Sequence, residues 1–483
     1  MKKTDILIYL SDQHSPIFSG WGAVPVETPN LDRLREDGTN FTESYTSCPL
    51  CVPARMSMLS AKLPSRTGVY SNFDTLADTT PTFLHPFVAA GYETVLIGRM
   101  HFIGQDQRHG FTKRLVGDIT PVTWNRPGES LAEERGVFKD CFMDTCCTDV
   151  IGGGESPVLH YDEAVVEAAL EYLSEEHEKP QLIVVGTYGP HYPYVAPKEL
   201  YLKYLDRVTV PDSFEADMPM NRLLEKKKKD RSFDADGARQ AIAAYCGMIE
   251  HMDGQIGRVR AAFNDYSKRS DQSSIFCYLS DHGDQVGENR FYGKQTFFEK
   301  SAKIPFMFAG DGIGSARSVA APVSIMDLGP TMCELAGLEF PVETDGISLA
   351  KILTKEKEPD YIRAVISQFM AGDFNENRCY AVMVRKKQYK YITYHGYETE
   401  DMLFNLAGDP EEKNNLNSEN PGITSELNSI AMAVADPDQE EKSARDHWQM
   451  CKWMMAWERE TGMDDRERWS KNPVTARDLP EVR

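Results

Sequence analysis

The sequence predicts a doubly wound α/β domain followed by a smaller α+β unit, and three observations carry that expectation. From the N-terminus to about Glu358, short β-branched apolar runs alternate with longer amphipathic stretches, the pattern of strands feeding crossover helices. Around Pro359 this gives way to closely spaced strand-like runs. Several early runs also end in charged or imidazole side chains, and open α/β sheets bind ligands beyond the carboxyl ends of their strands.

The first strand is read at Ile6–Leu10, an apolar run that Asp12 ends, and a helix follows over Thr28–Glu36. Further strands are expected at Thr94–Ile97, Leu182–Val185, Ser274–Leu279 and Ile304–Phe308, with helices at Tyr161–Leu173 and Asp236–Ala262. Beyond Pro359, Arg363–Phe369, Cys379–Val384 and Tyr389–Tyr394 read as antiparallel strands. Ser443–Trp457 reads as a helical tail, in which the spacing of Trp448, Trp453 and Trp457 puts two of the three on one face. Packing on its own domain is the ordinary use of such a face; contact with a second copy is the other. The expected organisation is a catalytic α/β domain over 1–358, a subdomain with a small antiparallel sheet over 359–440, and a helical tail over 441–483.

Composition excludes several classes. The 53 basic residues stand against 74 acidic ones, a formal charge of −21, which argues against nucleic acid as a partner because phosphate backbones select basic surfaces. An anionic substrate must then be captured by locally concentrated positive charge or metal. The run Ile6–Leu10 is too short for a secretory h-region, and no stretch approaches the roughly 20 apolar residues of a membrane helix. The ten cysteines lack framework spacing and read as mostly reduced thiols of a cytoplasmic protein.

The chemistry is concentrated at four strand ends. Ile6–Leu10 runs into Asp12 and Gln13, Thr94–Ile97 into Arg99 and His101, Leu182–Val185 through Gly189-Pro190 to His191, and Ser274–Leu279 into Asp281-His282-Gly283-Asp284. Asp12, Asp281, His282 and the Gln13 amide oxygen make a candidate divalent-cation site. Mostly oxygen donors favour calcium, magnesium or manganese, and the imidazole tilts the choice toward manganese or another transition metal.

The second element is Cys48-Pro-Leu-Cys51-Val-Pro53-Ala-Arg55. Pro53 suits the first turn of a helix, and Ala54 through Lys62 continues with good helix formers. Cys51 would then sit at a helix N-terminus, where free N–H groups and the dipole favour anions, with Arg55 one turn along the same face. A thiol there is expected to be depressed in pKa and reactive. Cys48 and Cys51 also form a Cys-x-x-Cys pair, but no second pair at zinc-ribbon spacing exists and the surroundings are unlike thioredoxin.

With these motifs in order, the chain resembles the sulfatases of the alkaline phosphatase superfamily. The resemblance runs through Leu10-Ser-Asp12-Gln13, Thr28-Pro-Asn-Leu-Asp-Arg-Leu, Cys51-Val-Pro-Ala-Arg55, Lys62-Leu-Pro-Ser-Arg-Thr-Gly68 and Gly98-Arg-Met-His101. It continues through Gly189-Pro-His191-Tyr-Pro193, Ser280-Asp-His-Gly-Asp-Gln-Val-Gly287, Tyr292-Gly-Lys294 and a closing motif, Leu403-Phe-Asn-Leu through Asn415-Leu416. It implies an alkaline-phosphatase-like mixed, mostly parallel sheet flanked by helices, with a smaller C-terminal α+β subdomain.

The resemblance also implies a mechanism. Cys51 becomes formylglycine through a formylglycine-generating or anaerobic sulfatase-maturating enzyme, and the aldehyde hydrates to a diol. One diol oxygen attacks sulfur, and the other expels sulfate by re-forming the aldehyde. Asp12, Gln13, Asp281, His282 and modified Cys51 hold one divalent metal, calcium foremost and manganese or magnesium otherwise. Arg55 orients the diol, Arg99 holds a diol or sulfate oxygen, and His101 is the base that triggers sulfate release. His191 and Lys294 bind sulfate and assist the leaving oxygen, and Asn72 contacts the sulfate. Gln13 and His282 depart from the arylsulfatase pattern toward a branch that includes choline sulfatases and phosphonate monoester hydrolases. Hydrolysis of a phosphonate monoester or phosphodiester is therefore the alternative activity. The implied substrate is a small carbohydrate, aryl or alkyl sulfate. Its contacts are expected from variable loops such as Thr120–Pro157, while Tyr188, Tyr192 and Tyr194 beside His191 serve either substrate contact or packing.

Overall fold

The computed structural model describes residues 3–124, 147–215, 220, 222–228, 233–372 and 378–462. Its centre is a sheet of eight strands: β1 (Thr4–Asp12), β2 (Thr39–Tyr45), β3 (Glu93–Gly98), β4 (Lys113–Leu115), β5 (Gln181–Pro190), β6 (Ser273–Ser280), β7 (Phe306–Gly310) and β8 (Arg317–Ser324). Their spatial order is β8-β2-β7-β6-β1-β5-β3-β4. β1 pairs in parallel with both β6 and β5, and β3 extends the parallel run beyond β5. β7 is antiparallel to both neighbours, so the sheet is mixed but mostly parallel, as expected. The carboxyl ends of β6, β1, β5 and β3 therefore open side by side, which brings the four chemistry-bearing strand ends together.

Helices cover both faces. Leu7 and Tyr9 of β1 pack with Val165 of a helix over Pro157–Ser174 and Ile249 of a long helix over Ala235–Ser270. Ile6, Ile8 and Leu10 pack on the other face with Met56 and Leu59 of Cys51–Ser60 and with Leu328 of Leu328–Leu335. Burial on both faces is why these strands read as unbroken apolar runs. The long helix outlasts its expected end at Ala262 because Phe263 and Tyr266 continue the buried stripe. Strands β2, β4 and β8 carry polar and charged residues and escape the apolar-run criterion.

Two local features set up the site. The helix Cys51–Ser60 is buried along its whole length and stops when Ala61 turns left-handed at φ 55°, two residues short of the expected Lys62. Gly98, at φ +92°, ends β3 where a Cβ would lie 2.4 Å from the Gly186 carbonyl oxygen, so only glycine lets β3 close on β5 ahead of Arg99.

The C-terminal part forms a second sheet of four consecutive antiparallel strands, β9 (Ala364–Ala371), β10 (Cys379–Lys386), β11 (Tyr389–Tyr394) and β12 (Met402–Asn405). Gln368 of β9 brackets the helix Cys51–Ser60: its N–H donates to the Ser47 carbonyl at 2.8 Å, and its Oε1 accepts from the Ser65 N–H at 3.0 Å. Lys390 of β11 is buried, donating to the Phe297 carbonyl at 2.8 Å and Glu299 Oε1 at 2.9 Å and pairing with Glu412. Lys390→Met removes the cation that pairs with Glu412 and leaves Glu299 with Lys303 at 3.5 Å; it is expected to cost about 3–5 kcal/mol, measured as a lower midpoint in urea. An unchanged midpoint would show that the cluster does not hold the two sheets together.

Helices over Pro421–Val434 and Pro437–Thr461 complete the described chain. Trp448 packs edge-on against Phe73 at 5.5 Å, whereas Trp453 is 77% exposed. No helix among the described residues is long and apolar enough to cross a membrane.

Candidate active site

β1 delivers Asp12 and β6 leads into Asp281 and His282, while the helix Cys51–Ser60 begins beside them at Cys51. Asp12, Cys51, Asp281 and His282 each offer one ligand atom, and these atoms all lie within 4.8 Å of one another. Cys51 Sγ is 3.2 Å from His282 Nε2 and 3.7 Å from Asp12 Oδ1. His282 Nδ1 donates to the Gly283 carbonyl at 3.0 Å, because that carbonyl can only accept. The Nε2 lone pair is thereby aimed into the cluster, the orientation a metal ligand needs. Two buried carboxylates and an aimed imidazole fit a divalent cation.

The thiol itself differs from expectation. Burial, reinforced by the Asp12 carboxylate, pushes Cys51 up to about 12, so the helix N-terminus does not yield a thiolate here. As a neutral thiol the sulfur is a poor nucleophile.

Arg55 ties the two acids together. Its Nε donates to Asp281 Oδ2 at 2.8 Å and its Nη2 to Asp12 Oδ2 at 3.0 Å. Burial opposes ionisation of Asp12, but Arg99 and Arg55 outweigh it and hold the carboxyl well below the usual range.

Arg99 is placed otherwise than the resemblance implied. Its Nε donates to Asp12 Oδ2 at 2.8 Å, its Nη1 to Asp118 Oδ1 at 2.8 Å and Thr120 Oγ1 at 2.5 Å, and its Nη2 to His101 Nδ1 at 2.7 Å. Tyr188 stacks beneath the guanidinium at 4.7 Å. With four of its five N–H hydrogens committed to protein groups, Arg99 organises neighbours rather than offering a fork to a diol or sulfate oxygen.

On the β5 side, Lys294 Nζ donates to His191 Nε2 at 2.5 Å and to Gln13 Oε1 at 2.8 Å. His191 Nδ1 donates to the Tyr192 carbonyl at 2.8 Å, which leaves Nε2 as the acceptor for Lys294. Burial and the Lys294 charge hold His191 well below the ordinary imidazole value, so the shared proton resides on Lys294. Gln13, at φ 71°, is fixed at both ends of its amide, since its Nε2 donates to Asp284 Oδ2 at 2.5 Å.

Asn72 reaches the site differently from the expected sulfate contact. Its Oδ1 accepts the Val52 N–H at 3.0 Å, capping the first turn of the helix Cys51–Ser60. The tyrosines that the sequence leaves open between substrate contact and packing are buried and engaged: Tyr188 lies under Arg99, Tyr192 under Lys294 at 5.2 Å, and Tyr194 donates to Asp284 Oδ2 at 2.9 Å. Most of the loop Thr120–Pro157 lies outside the described residues. Asp118, Thr120 and Asp284 were not singled out from the sequence for a role. Only Asp284 had a signal, its place three residues after Asp281 in a strand-end motif.

Cys51 at a helix N-terminus thus lies beside the donor atoms of Asp12, Asp281 and His282, with the Lys294–His191 pair on the β5 side. Comparison with known proteins gives the family. The Sulfatase family model matches residues 4–338, more than half of the chain. The chain belongs to the sulfatase family. Its reaction class is sulfuric ester hydrolysis. A second family model, N-sulphoglucosamine sulphohydrolase, C-terminal, matches residues 287–433 of this sulfatase. A choline-sulfatase of Rhizobium meliloti is 32% identical over 450 residues, covering 87% of this chain and 83% of its own. An arylsulfatase of Clostridium perfringens is 27% identical over 450 residues, covering 87% and 91%. In fold, the sulfatase is similar to the phosphonate monoester hydrolase of Agrobacterium radiobacter, with a TM-score of 0.71, 20% identity and coverage of 89% and 95%.

Proposed function

We propose that this sulfatase cleaves small sulfate esters with formylglycine made from Cys51 and one divalent cation, calcium foremost. The observation that carries the reading is the buried convergence of Asp12, Cys51, Asp281 and His282 at one helix N-terminus. Asp12, Asp281 and His282 would hold the metal, with Gln13 Oε1 and residue 51 completing its donors. The metal and the hydrated aldehyde together supply an activated oxygen nucleophile at neutral pH.

The chain's own residues have distinct tasks. Arg55 locks the two metal carboxylates at fixed separation. Lys294 neutralises the transferred sulfate group and holds the proton that it and His191 share, so the pair serves as acid toward the departing oxygen. Asn72 keeps the first turn of the nucleophile helix in place. His101 acts at sulfate release.

The substrate is a small organic sulfate, a class that the choline-sulfatase and arylsulfatase relatives support. Phosphonate monoesters are the second reading, favoured by the similar fold of a phosphonate monoester hydrolase and by the presence of Gln13 and His282. Sulfate monoesters and phosphonate monoesters leave the same single negative charge on the transferred group, so one pocket suits both. Matched aryl sulfate and aryl phosphonate esters separate them. The expected result is a higher kcat/KM on the sulfate, abolished by a chelator and restored by calcium or manganese. A higher value on the phosphonate would overturn the substrate assignment.

Maturation requires a formylglycine-generating or anaerobic sulfatase-maturating enzyme in the same compartment. The eight described cysteines are all free and buried, which supports the reducing cytoplasm. The exposure of Trp453 and Trp457 supports a contact between copies through the last helix.

A further inference from the structure

We propose that Asp118 is a positioning residue of this site, acting through Arg99 to set the direction and the proton-bearing nitrogen of the His101 imidazole. The inference rests on the sulfate-ester reading above and deepens it.

Asp118 follows β4 and is wholly buried. Its Oδ2 accepts the His101 backbone N–H at 2.8 Å. Its Oδ1 accepts from Arg99 Nη1 at 2.8 Å, the Thr120 N–H at 3.1 Å and Thr120 Oγ1 at 2.9 Å. One carboxylate thus grips the His101 backbone directly and, through the guanidinium, its ring. His101 needs such a grip because it sits at φ +60°, a left-handed conformation that a side chain bearing a Cβ disfavours.

The same contacts decide the tautomer. A guanidinium has hydrogens to give and no lone pair to receive one. Arg99 Nη2, 2.7 Å from His101 Nδ1, must therefore be the donor, and Nδ1 is the acceptor nitrogen. The neutral ring then carries its proton on Nε2. His101 in this arrangement presents an N–H suited to an anionic oxygen such as that of departing sulfate. That differs from the base with an open lone pair that the family resemblance implied. Asp118 keeps this state in force because its negative charge fixes Arg99 in the fork that reaches Nδ1. Thr120 completes the hold by accepting a second Nη1 hydrogen at 2.5 Å.

The test is a double-mutant cycle on mature, metal-loaded enzyme with an aryl sulfate, each variant normalised for formylglycine content by mass spectrometry. Asp118→Asn keeps size but replaces one acceptor by a donor facing a guanidinium or an N–H. It is expected to lower kcat by about 10–100-fold, the usual range for residues that orient a functional imidazole, with KM within about threefold. In a His101→Ala background the same change should cost less than about threefold, because the ring it positions is gone. Thr120→Val, a milder change, should show the same dependence on His101 and stands in if Asp118→Asn fails to fold. Equal losses in both backgrounds would make Asp118 merely structural, and an unchanged kcat would overturn the proposal. A wild-type enzyme that leaves aryl sulfate intact would instead count against the substrate reading.

Discussion

Cys51→Ala is expected to lower sulfate-ester hydrolysis at least about 10⁴-fold, the scale seen when a covalent nucleophile is removed, while the protein still folds. Folding survives because the change removes one sulfur atom from a buried position whose hydrogen-bonding partners Asp12 and His282 retain Arg55, Arg99 and Gly283. The informative comparison is wild-type protein made without a maturation enzyme. Burial and Asp12 push the Cys51 thiol up to about 12, so the unconverted side chain is a neutral thiol wedged between carboxylates. Unmatured wild type should match the alanine variant in rate. Matured protein should be active in proportion to the fraction of the Cys51 peptide that is lighter by about 18 Da. Full activity in protein whose Cys51 peptide carries no such shift would mean that the sulfur itself attacks, and the formylglycine reading would be lost. Substantial activity in the alanine variant would place the nucleophile elsewhere altogether.

That this residue could be singled out from sequence follows from where its chemistry lies. Asp12, His191 and Asp281 follow apolar strands that are buried on both faces, so each is marked by an abrupt change of character, and parallel pairing of β6, β1, β5 and β3 then places those ends together. Cys51 and Arg55 are one helical turn apart, a local relation that needs no tertiary knowledge. Asp118 lacks both marks. It lies in an irregular segment after a three-residue strand, and its meaning comes from Arg99 and His101, which reach it only once β3 and β4 are paired. Arg99 was legible as a site residue but not in its use, because a sequence cannot show which acceptors its five N–H groups will find. The choice between substrate contact and packing for Tyr188, Tyr192 and Tyr194 stays open in the sequence for a related reason. Aromatics beside a catalytic histidine look like substrate contacts until burial shows them packed under Arg99, under Lys294 and against Asp284. Strand β2 was not legible because it carries Asn40, Thr42, Glu43 and Ser44 among its seven residues, a pattern that only its neighbours β7 and β8 make intelligible.

Asp12→Asn tests the electrostatic design of the site most severely, because the two oxygens of Asp12 serve different masters. Oδ2 receives Arg55 Nη2 at 3.0 Å and Arg99 Nε at 2.8 Å, while Oδ1 faces the Cys51 sulfur and lies 3.8 Å from His282 Nε2. An asparagine must put its NH₂ toward either the guanidiniums or the metal donors, and both places require an acceptor. Loss of the charge also leaves Arg55 and Arg99 with only Asp281 and Asp118 as buried counter-ions. Removing one partner of a buried ion pair typically costs about 3–5 kcal/mol, so the unfolding midpoint in urea should fall well below that of Cys51→Ala. Divalent metal should be retained poorly at stoichiometric concentration, and kcat/KM should drop at least about a thousandfold, since metal charge stabilisation is worth several kcal/mol of barrier. The two readouts separate the two oxygens. A variant that is destabilised yet binds metal and turns over normally would confine Asp12 to anchoring the arginines. One that is stable but metal-free would make it a ligand alone, and the shared role argued from its geometry requires both losses together.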